Sequence, residues 1–469
     1  MQSPADGLVA FLNASPTAFH AVAESARQLR AAGFQELSER QPWSIVRGGL
    51  YYFTRGGSTI VAFAVGACAA AGGGFMVIGA HTDSPCPKLK PVSATSKSGF
   101  QSVGVEPYGG GIWATWFDRD LGVAGRVLVR QPDGSLRPCL VNVTRPVLRI
   151  PSLAIHLNRE VNSDGFKVNA QTHLPPVLAT TVKAELLTPK KAEGASAEAR
   201  HHPLLLQLFA EQLGCAAEDI CDFDAQLCDV QPATLGGACD EFVFSGRLDN
   251  LASCYTSLQA FIAASTNGSL AQESAVRMLA HFDHEEVGSA SAHGAASPVM
   301  IDAVRRVAAA MAGGEEGAVE RALRASFLVS ADMAHGVHPN YADKHEPCHA
   351  PRFHGGLVVK HNSNQRYATD SVTAFLFREL GRAAGVPVQE FVVRSDLACG
   401  STIGPIISAN TGMRCVDVGA PMLSMHSVRE MCSADDVGHA IKHFTAVYEG
   451  FTRLDAALTL DKTEAGAAD

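Results

Sequence analysis

The sequence predicts an α/β protein in which a mixed, mainly parallel sheet is sandwiched by helices and interrupted by a β-rich insertion. Three observations carry this. Short, nearly continuous apolar runs at Phe75–Gly79, Val276–Phe282, Phe327–Ser330 and Cys415–Val418 have the length and composition of strands buried on both faces. These runs alternate with segments of helical period, as crossover connections between parallel strands require. Between about Val92 and Gly236 the texture changes to short strand-like runs separated by turns, including Arg126–Val129 and Leu140–Val143. A chain of 469 residues is roughly three times a typical domain. The expected organisation is therefore one large domain over 1–91 and 237–469, with an inserted domain over 92–236.

Taken in order, Ser3 and Pro4 have the pattern of a cap followed by a first-turn proline, and Leu8, Val9, Phe11 and Leu12 make a short amphipathic helix. A second helix is expected over about Thr17–Ala32. Residues Ile60–Ala80 carry no charge over a length that would span a bilayer, but Gly72, Gly73 and Gly74 interrupt them. Two buried strands, Ile60–Val65 and Phe75–Ile78, joined by a glycine turn account for the stretch better than a membrane helix. Further helices are expected after Asp249, near Ile301–Met311, near Ser371–Ala384 and from Ala434 onward. Strands are expected at Leu357–Val359 and Phe391–Val393. Lys190–Ala199 is too polar and small-residue-rich to order itself, so a mobile loop is expected there, with fraying after Lys462.

The composition, 46% hydrophobic and 18% charged, is that of an ordinary globular chain. A net charge of −9 gives no reason to expect nucleic acid or an anionic membrane as partner, and an acidic substrate would need a locally positive pocket. Twelve cysteines occur without a Cys-x-x-Cys pair, which argues against a zinc ribbon or a thioredoxin-type site and for free thiols in a reducing compartment. The start of the chain lacks the basic and apolar regions of a secretory signal, so a cytoplasmic location is expected.

Five positions that could ligate metal lie where a strand ends or a loop begins: His81, Asp249, Glu286, Asp332 and His426. Asp83, two residues after His81, is placed to orient the imidazole. Asp249 precedes a helix and, taken alone, reads first as an N-cap. Glu285 and Glu286 follow the strand Val276–Phe282 as adjacent carboxylates, an arrangement whose repulsion a cation or proton would relieve. Asp332 ends another buried run, and His335 and His338 nearby read as ligands, substrate contacts or satisfied polar residues. Alone, His426 reads as structural. Together, two histidines, three carboxylates and a spare glutamate form the inventory of a co-catalytic two-zinc peptidase. Gly-x-Ser-x-Gly and Walker motifs are absent from the sequence, and Gly109-Gly110-Gly111 is followed by Ile112 and Trp113 rather than by phosphate-binding residues.

Over nearly its whole length the sequence resembles the M18 metallopeptidases, the aspartyl aminopeptidases. The matching blocks include Ile78-Gly-Ala-His-Thr-Asp-Ser-Pro-Cys86, Tyr108-Gly-Gly-Gly-Ile-Trp113, Trp116-Phe-Asp-Arg-Asp-Leu121, Ala154-Ile-His-Leu157, Arg247-Leu-Asp-Asn250, Glu285-Glu-Val-Gly-Ser289, Ser330-Ala-Asp-Met-Ala-His335, His338-Pro-Asn-Tyr341 and Met425-His-Ser427.

The resemblance implies a zinc-exopeptidase-like fold with an inserted dimerisation domain. It implies two zinc ions per subunit, with manganese or cobalt able to substitute, held by His81, Asp249, Glu286, Asp332 and His426, with Asp249 bridging. A metal-bound water would be the nucleophile and Glu285 the general base. Substrates would be peptides with N-terminal Asp, preferred over Glu, contacted by Glu285, Asp332, His335, Lys360 and Tyr367. Lys360 would meet the acidic side chain, and His156 would serve a neighbouring subunit's site. Subunits would pair into dimers and then a tetrahedral dodecamer. The resemblance further implies a cis peptide between Asp249 and Asn250. His284, where relatives commonly have Asn, and Leu397-Ala398, in place of a proline-containing step, depart from the pattern. Another two-zinc amide hydrolase, or a silent scaffold keeping the fold, are the competing readings; Lys360 speaks against the first, and the full ligand set with Glu285 against the second.

Overall fold

The computed structural model describes residues 3–187 and 200–458. The expected loop at Lys190–Ala199 and the tail after Lys462 lie outside them. The central element is a nine-stranded sheet in the order Gln35–Glu36, Leu50–Arg55, Thr59–Val65, Val276–Phe282, Phe75–His81, Phe327–Ala331, Arg414–Gly419, Leu357–His361, Val388–Val392. Four adjacent strands, from Val276–Phe282 to Arg414–Gly419, run parallel. Their carboxyl ends therefore lie along one edge, where an open α/β sheet presents its ligand-binding loops.

Alternate residues of each strand enter different cores. Ile60, Ala62, Met76 and Ile78 pack against helices Pro4–Ala14, Leu248–Thr266 and Ala434–Asp455 on one face. Val61, Phe63, Phe75 and Val77 pack against Val299–Ala312 and Ile403–Thr411 on the other. Burial on both faces explains why the strands read as continuous apolar runs. The first helix carries the expected start, with Ser3 and Asp6 forming a reciprocal capping box and Pro4 in the first turn.

The two strands flanking Gly72–Gly74 form, but they are not neighbours. Val276–Phe282 lies between them, antiparallel to Thr59–Val65 and parallel to Phe75–His81. The glycine link therefore crosses over a strand supplied from 200 residues further along, a long-range pairing that local pattern does not encode. Gly74 is required there because a Cβ would lie 2.2 Å from the Ala325 carbonyl oxygen.

A six-stranded sheet is built from strands between Cys86 and Asp229, beginning slightly before the texture change in the sequence. It has its own core, including Val103, Val127 and Val141, covered by the helix Pro203–Leu213 that the strand-like texture had hidden. A five-stranded sheet joins Thr234–Gly236, Phe242–Ser245, Glu430–Ser433, Pro421–Leu423 and Ala334–His335 beside the carboxyl edge of the large sheet. Among the described residues no helix is long and apolar enough to cross a membrane.

Candidate metal centre

Each of the five expected ligands leaves a strand or begins a helix at the carboxyl edge. His81 is the last residue of Phe75–His81, and Asp332 follows Phe327–Ala331 directly. Glu285 and Glu286 begin a 3-10 turn just after Val276–Phe282. Asp249 lies in the first turn of Leu248–Thr266, where its own backbone is not helical and its peptide bond to Asn250 is cis, as expected. His426 occupies a turn at φ +67 between Pro421–Leu423 and Glu430–Ser433.

These side chains converge. The sets His81, Asp249, Asp332 and Asp249, Glu286, His426 each bring their ligand atoms within 4.8 Å of one another. Asp249 belongs to both: its Oδ1 lies 3.3 Å from His81 Nε2, and its Oδ2 lies 3.3 Å from His426 Nε2. Asp332 Oδ1 is 3.5 Å from His81 Nε2, and Glu286 Oε2 is 3.4 Å from His426 Nε2. Glu285 belongs to a third such set, with His81 and Glu286, its Oε2 3.8 Å from His81 Nε2.

Both imidazoles are aimed in the same way. His81 Nδ1 is 3.1 Å from the main-chain carbonyl oxygen of Asp83, and His426 Nδ1 is 2.9 Å from that of Gly110. Donating the Nδ1 proton to a carbonyl leaves each Nε2 lone pair facing the carboxylates, as metal ligation requires. The glycine run at Gly109–Gly111 thus carries a carbonyl that orients His426, a task the sequence did not reveal. Asp83 holds the His81 ring chiefly through its carbonyl, with Oδ1 at 3.4 Å. The same carboxylate accepts the Tyr108 hydroxyl at 2.7 Å and the Glu285 and Glu286 N–H groups at 3.1 Å each. Asp249 is fixed from behind, where its carbonyl accepts Ser84 Oγ at 2.6 Å. Asn250 Nδ2 donates to the Ala331 carbonyl at 2.8 Å.

The donor set fits a divalent ion. Asp249 Oδ1 and Glu286 Oε1 are buried without a hydrogen-bond partner, an expensive condition that a cation relieves. Imidazole and carboxylate ligands suit zinc.

Lys360, on the strand Leu357–His361, is 3% exposed, with its Nζ 3.6 Å from Asp332 Oδ2. The buried Tyr367 ring lies 5.5 Å from the same ammonium. His335, at the end of Ala334–His335, is exposed and lies edge-on to Phe391 at 5.8 Å. His156 is elsewhere, exposed on the turn Ile155–Leu157, with no hydrogen bond or ion pair to the cluster among the described residues. His338 lies tilted against the Tyr341 ring, 4.9 Å between centroids, rather than joining the cluster. His284 sits at φ +63, a left-handed conformation that Asn and His tolerate better than most residues, which accounts for the exchange between them.

The side chains gathered at the carboxyl edge are those of a metal-dependent hydrolase. Comparison with known proteins agrees. The family model for aminopeptidase I zinc metalloprotease (M18) matches residues 11–448. A Ricinus communis protein named probable aspartyl aminopeptidase is 56% identical over 97% of this chain and 96% of its own length. The aspartyl aminopeptidase of Dictyostelium discoideum is 46% identical, covering 95% and 96%. Of the solved structures, the complex of Ape4 with Nbr1 superposes with a TM-score of 0.94 at 43% identity, over 98% of this chain and 88% of that one. The S. cerevisiae mApe1 dodecamer gives 0.84 at 30% identity, over 96% and 97%. The chain belongs to the M18 peptidase family. It is an enzyme, a metallo-aminopeptidase.

Without an ion, the cluster balances its negative charge with protons. Burial, then repulsion from Asp249, pushes Glu286 up to about 9. Burial alone would lower His426, but Asp249 and Glu286 outweigh it and raise the imidazole to about 10. Burial opposes protonation of His81 too, yet Glu285, Asp249 and Asp332 hold it well above its ordinary value. Ligands must shed these protons to bind metal, so proton release accompanies binding and affinity rises with pH. Zinc added to metal-free protein at neutral pH is expected to release protons. Calorimetry in buffers of different ionisation enthalpy measures this, and a binding heat independent of buffer would contradict it.

Proposed function

We propose that the protein is a dinuclear zinc aminopeptidase that removes acidic residues, Asp before Glu, from the N-termini of peptides. The observation that carries this reading is the placement of Asp249, whose two carboxylate oxygens each face a different imidazole. In this reading His81, Asp332 and Asp249 would hold one ion, and Glu286, His426 and Asp249 the other. When bound, such a pair lowers the pKa of a water and polarises the substrate carbonyl. Manganese or cobalt would serve a ligand set of this kind as well.

Glu285 is the carboxylate left over, and it stands beside the cluster rather than between its imidazoles. We assign it the transfer of a proton from the attacking water to the leaving amine. Asp83, by accepting the Glu285 and Glu286 N–H groups, keeps that carboxylate and its neighbour in register with His81. Asp332 and Glu285 also offer negative charge to the substrate's free amine, with His335 and Tyr367 as further candidate contacts.

Lys360 supplies the positive charge that an acidic substrate needs in a chain of net charge −9. In the ligand-free cluster its ammonium leans on Asp332. With Asp332 committed to metal binding, Lys360 would be free for the substrate's side chain. The names of the relatives, aspartyl aminopeptidases, support the same specificity.

The β-rich segment over 92–236 is the proposed self-association unit. Leu153, Ile155 and Leu157 are exposed by 61%, 44% and 75%, an apolar patch that a partner subunit would cover. His156 lies within that patch, where it reaches a neighbouring subunit's site rather than its own and assists the developing oxyanion. Dimers joined in this way would assemble into a dodecamer, the form of the mApe1 relative. Twelve free cysteines suit the cytosol.

Glu285→Gln is expected to retain both metal ions while lowering kcat by about two orders of magnitude. Kinetics paired with metal analysis of the same preparation checks this, and full activity at normal metal content would remove Glu285 from its role. Lys360→Ala is expected to lose about 2–5 kcal/mol of transition-state binding for Asp-peptides, chiefly through the unpaired substrate carboxylate, and little for Ala- or Leu-peptides. Comparing kcat/KM across the three substrates decides it. A uniform loss would give Lys360 a structural role, and an unchanged Asp preference would move specificity to His335 or Tyr367.

A further inference from the structure

Glu430 is a buried carboxylate that the reading above leaves without a task. It opens the strand Glu430–Ser433, where the register sets it opposite Ser245, and it is 3% exposed. Its partners are main-chain N–H groups. Oε1 accepts from the N–H of His426 at 2.9 Å, and Oε2 accepts from the N–H of Asp249 at 3.3 Å.

Both of these N–H groups need such a partner. His426 sits in the left-handed region at φ +67, two residues after Ser424 at φ +60, in the turn outside the pairing of Pro421–Leu423 with Glu430–Ser433, so the ladder supplies its N–H no partner. Asp249, at φ −80 and ψ 102, interrupts the helix in which it lies. Buried N–H groups outside regular structure require an acceptor, and one carboxylate has lone pairs for both. The side chains of the same two residues meet again on the opposite side, where His426 Nε2 lies 3.3 Å from Asp249 Oδ2. Glu430 behind and the imidazole–carboxylate gap in front thus close a ring through two segments far apart in the sequence.

We propose that Glu430 is a positioning residue whose carboxylate ties the main chains of Asp249 and His426 together, presetting the gap in which these two side chains hold a metal ion. The inference rests on the reading of Asp249 and His426 as ligands of one ion. It assigns Glu430 no contact with substrate or metal. Its effect is on affinity: without the tie the two ligands must be ordered by the ion itself, and part of the binding free energy is spent on that ordering.

Glu430→Gln tests this with little change of shape. An amide offers one acceptor oxygen and turns an NH2 group toward the other main-chain N–H, so one half of the tie is lost. Asp436→Asn is the matched control. Asp436 is also buried and accepts two main-chain N–H groups, those of His354 and Gly356 at 2.8 Å each, but neither belongs to the cluster.

Full-length wild type and both variants would be stripped of metal, melted thermally, and titrated with zinc against a competing chromophoric chelator. Glu430→Gln is expected to weaken zinc binding by about 10–100-fold at the site shared by Asp249 and His426. Asp436→Asn is expected to lower the melting temperature of the metal-free protein while leaving zinc affinity at the wild-type value. Wild-type affinity in Glu430→Gln would overturn the proposal, as would an equal loss of affinity in both variants, which would mark general destabilisation. Should Glu430→Gln fail to fold, Glu430→Asp decides by the same criterion, since it keeps the charge but withdraws the oxygens by one methylene. Failure of the wild type to take up zinc would instead sink the reading of the ligands themselves.

Discussion

The structure depends on a concentration of negative charge where water is scarce. Asp249, Asp332, Glu285 and Glu286 crowd the carboxyl edge of the large sheet around two imidazoles, and Asp249 and His81 are almost fully buried. Carboxylates so placed repel one another and lack hydration, and they persist only with protons or cations between them. Among the described residues the protein meets this conflict with only one lysine, Lys360 against Asp332. It surrounds the site with main-chain groups instead: the carbonyls of Asp83 and Gly110 aim the imidazoles, and the N–H groups of Glu285, Glu286, Asp249 and His426 are held by the Asp83 and Glu430 carboxylates. Rigid neighbours of this kind keep the oxygens converged on the space an ion fills.

The fold creates that convergence through strand direction. Parallel pairing of Val276–Phe282, Phe75–His81, Phe327–Ala331 and Arg414–Gly419 brings their ends to one edge, so residues separated by hundreds of positions meet. Close packing finishes the placement. Gly419 has no room for a side chain, because a Cβ would lie 1.7 Å from the carbonyl oxygen of Asp332. The loop carrying Asp332 is thereby pressed against the neighbouring strand, and Lys360 reaches the same carboxylate from the next strand along.

Much of this was legible in the sequence because buried strands write themselves as apolar runs, and a charged residue at the end of such a run is conspicuous. His81, Asp332 and the Glu285–Glu286 pair were found in that way, and the helices Ser371–Ala384 and Ala434–Asp455 by their period and starts. Asp249 and His426 were harder, since an N-cap or a lone histidine has the same local appearance as a ligand; they stood out only in combination with the other candidates. What remained hidden was long-range. Nothing near Thr59–Val65 announces that Val276–Phe282 separates it from Phe75–His81. Gly110 contributes a carbonyl, which no side-chain pattern records, and Glu430 looks like one polar residue at a strand start. The helix Pro203–Leu213 was masked by the strand-like texture around it.

In the proposed reading Asp249 joins two metal sites, one at each carboxylate oxygen. The direct measurement is anomalous diffraction at the zinc absorption edge from crystals of zinc-loaded protein. The account predicts two peaks about 3.5–4 Å apart on either side of the Asp249 carboxylate, one beside His81 and one beside His426. A single peak, or two peaks that leave Asp249 outside both coordination shells, would contradict it.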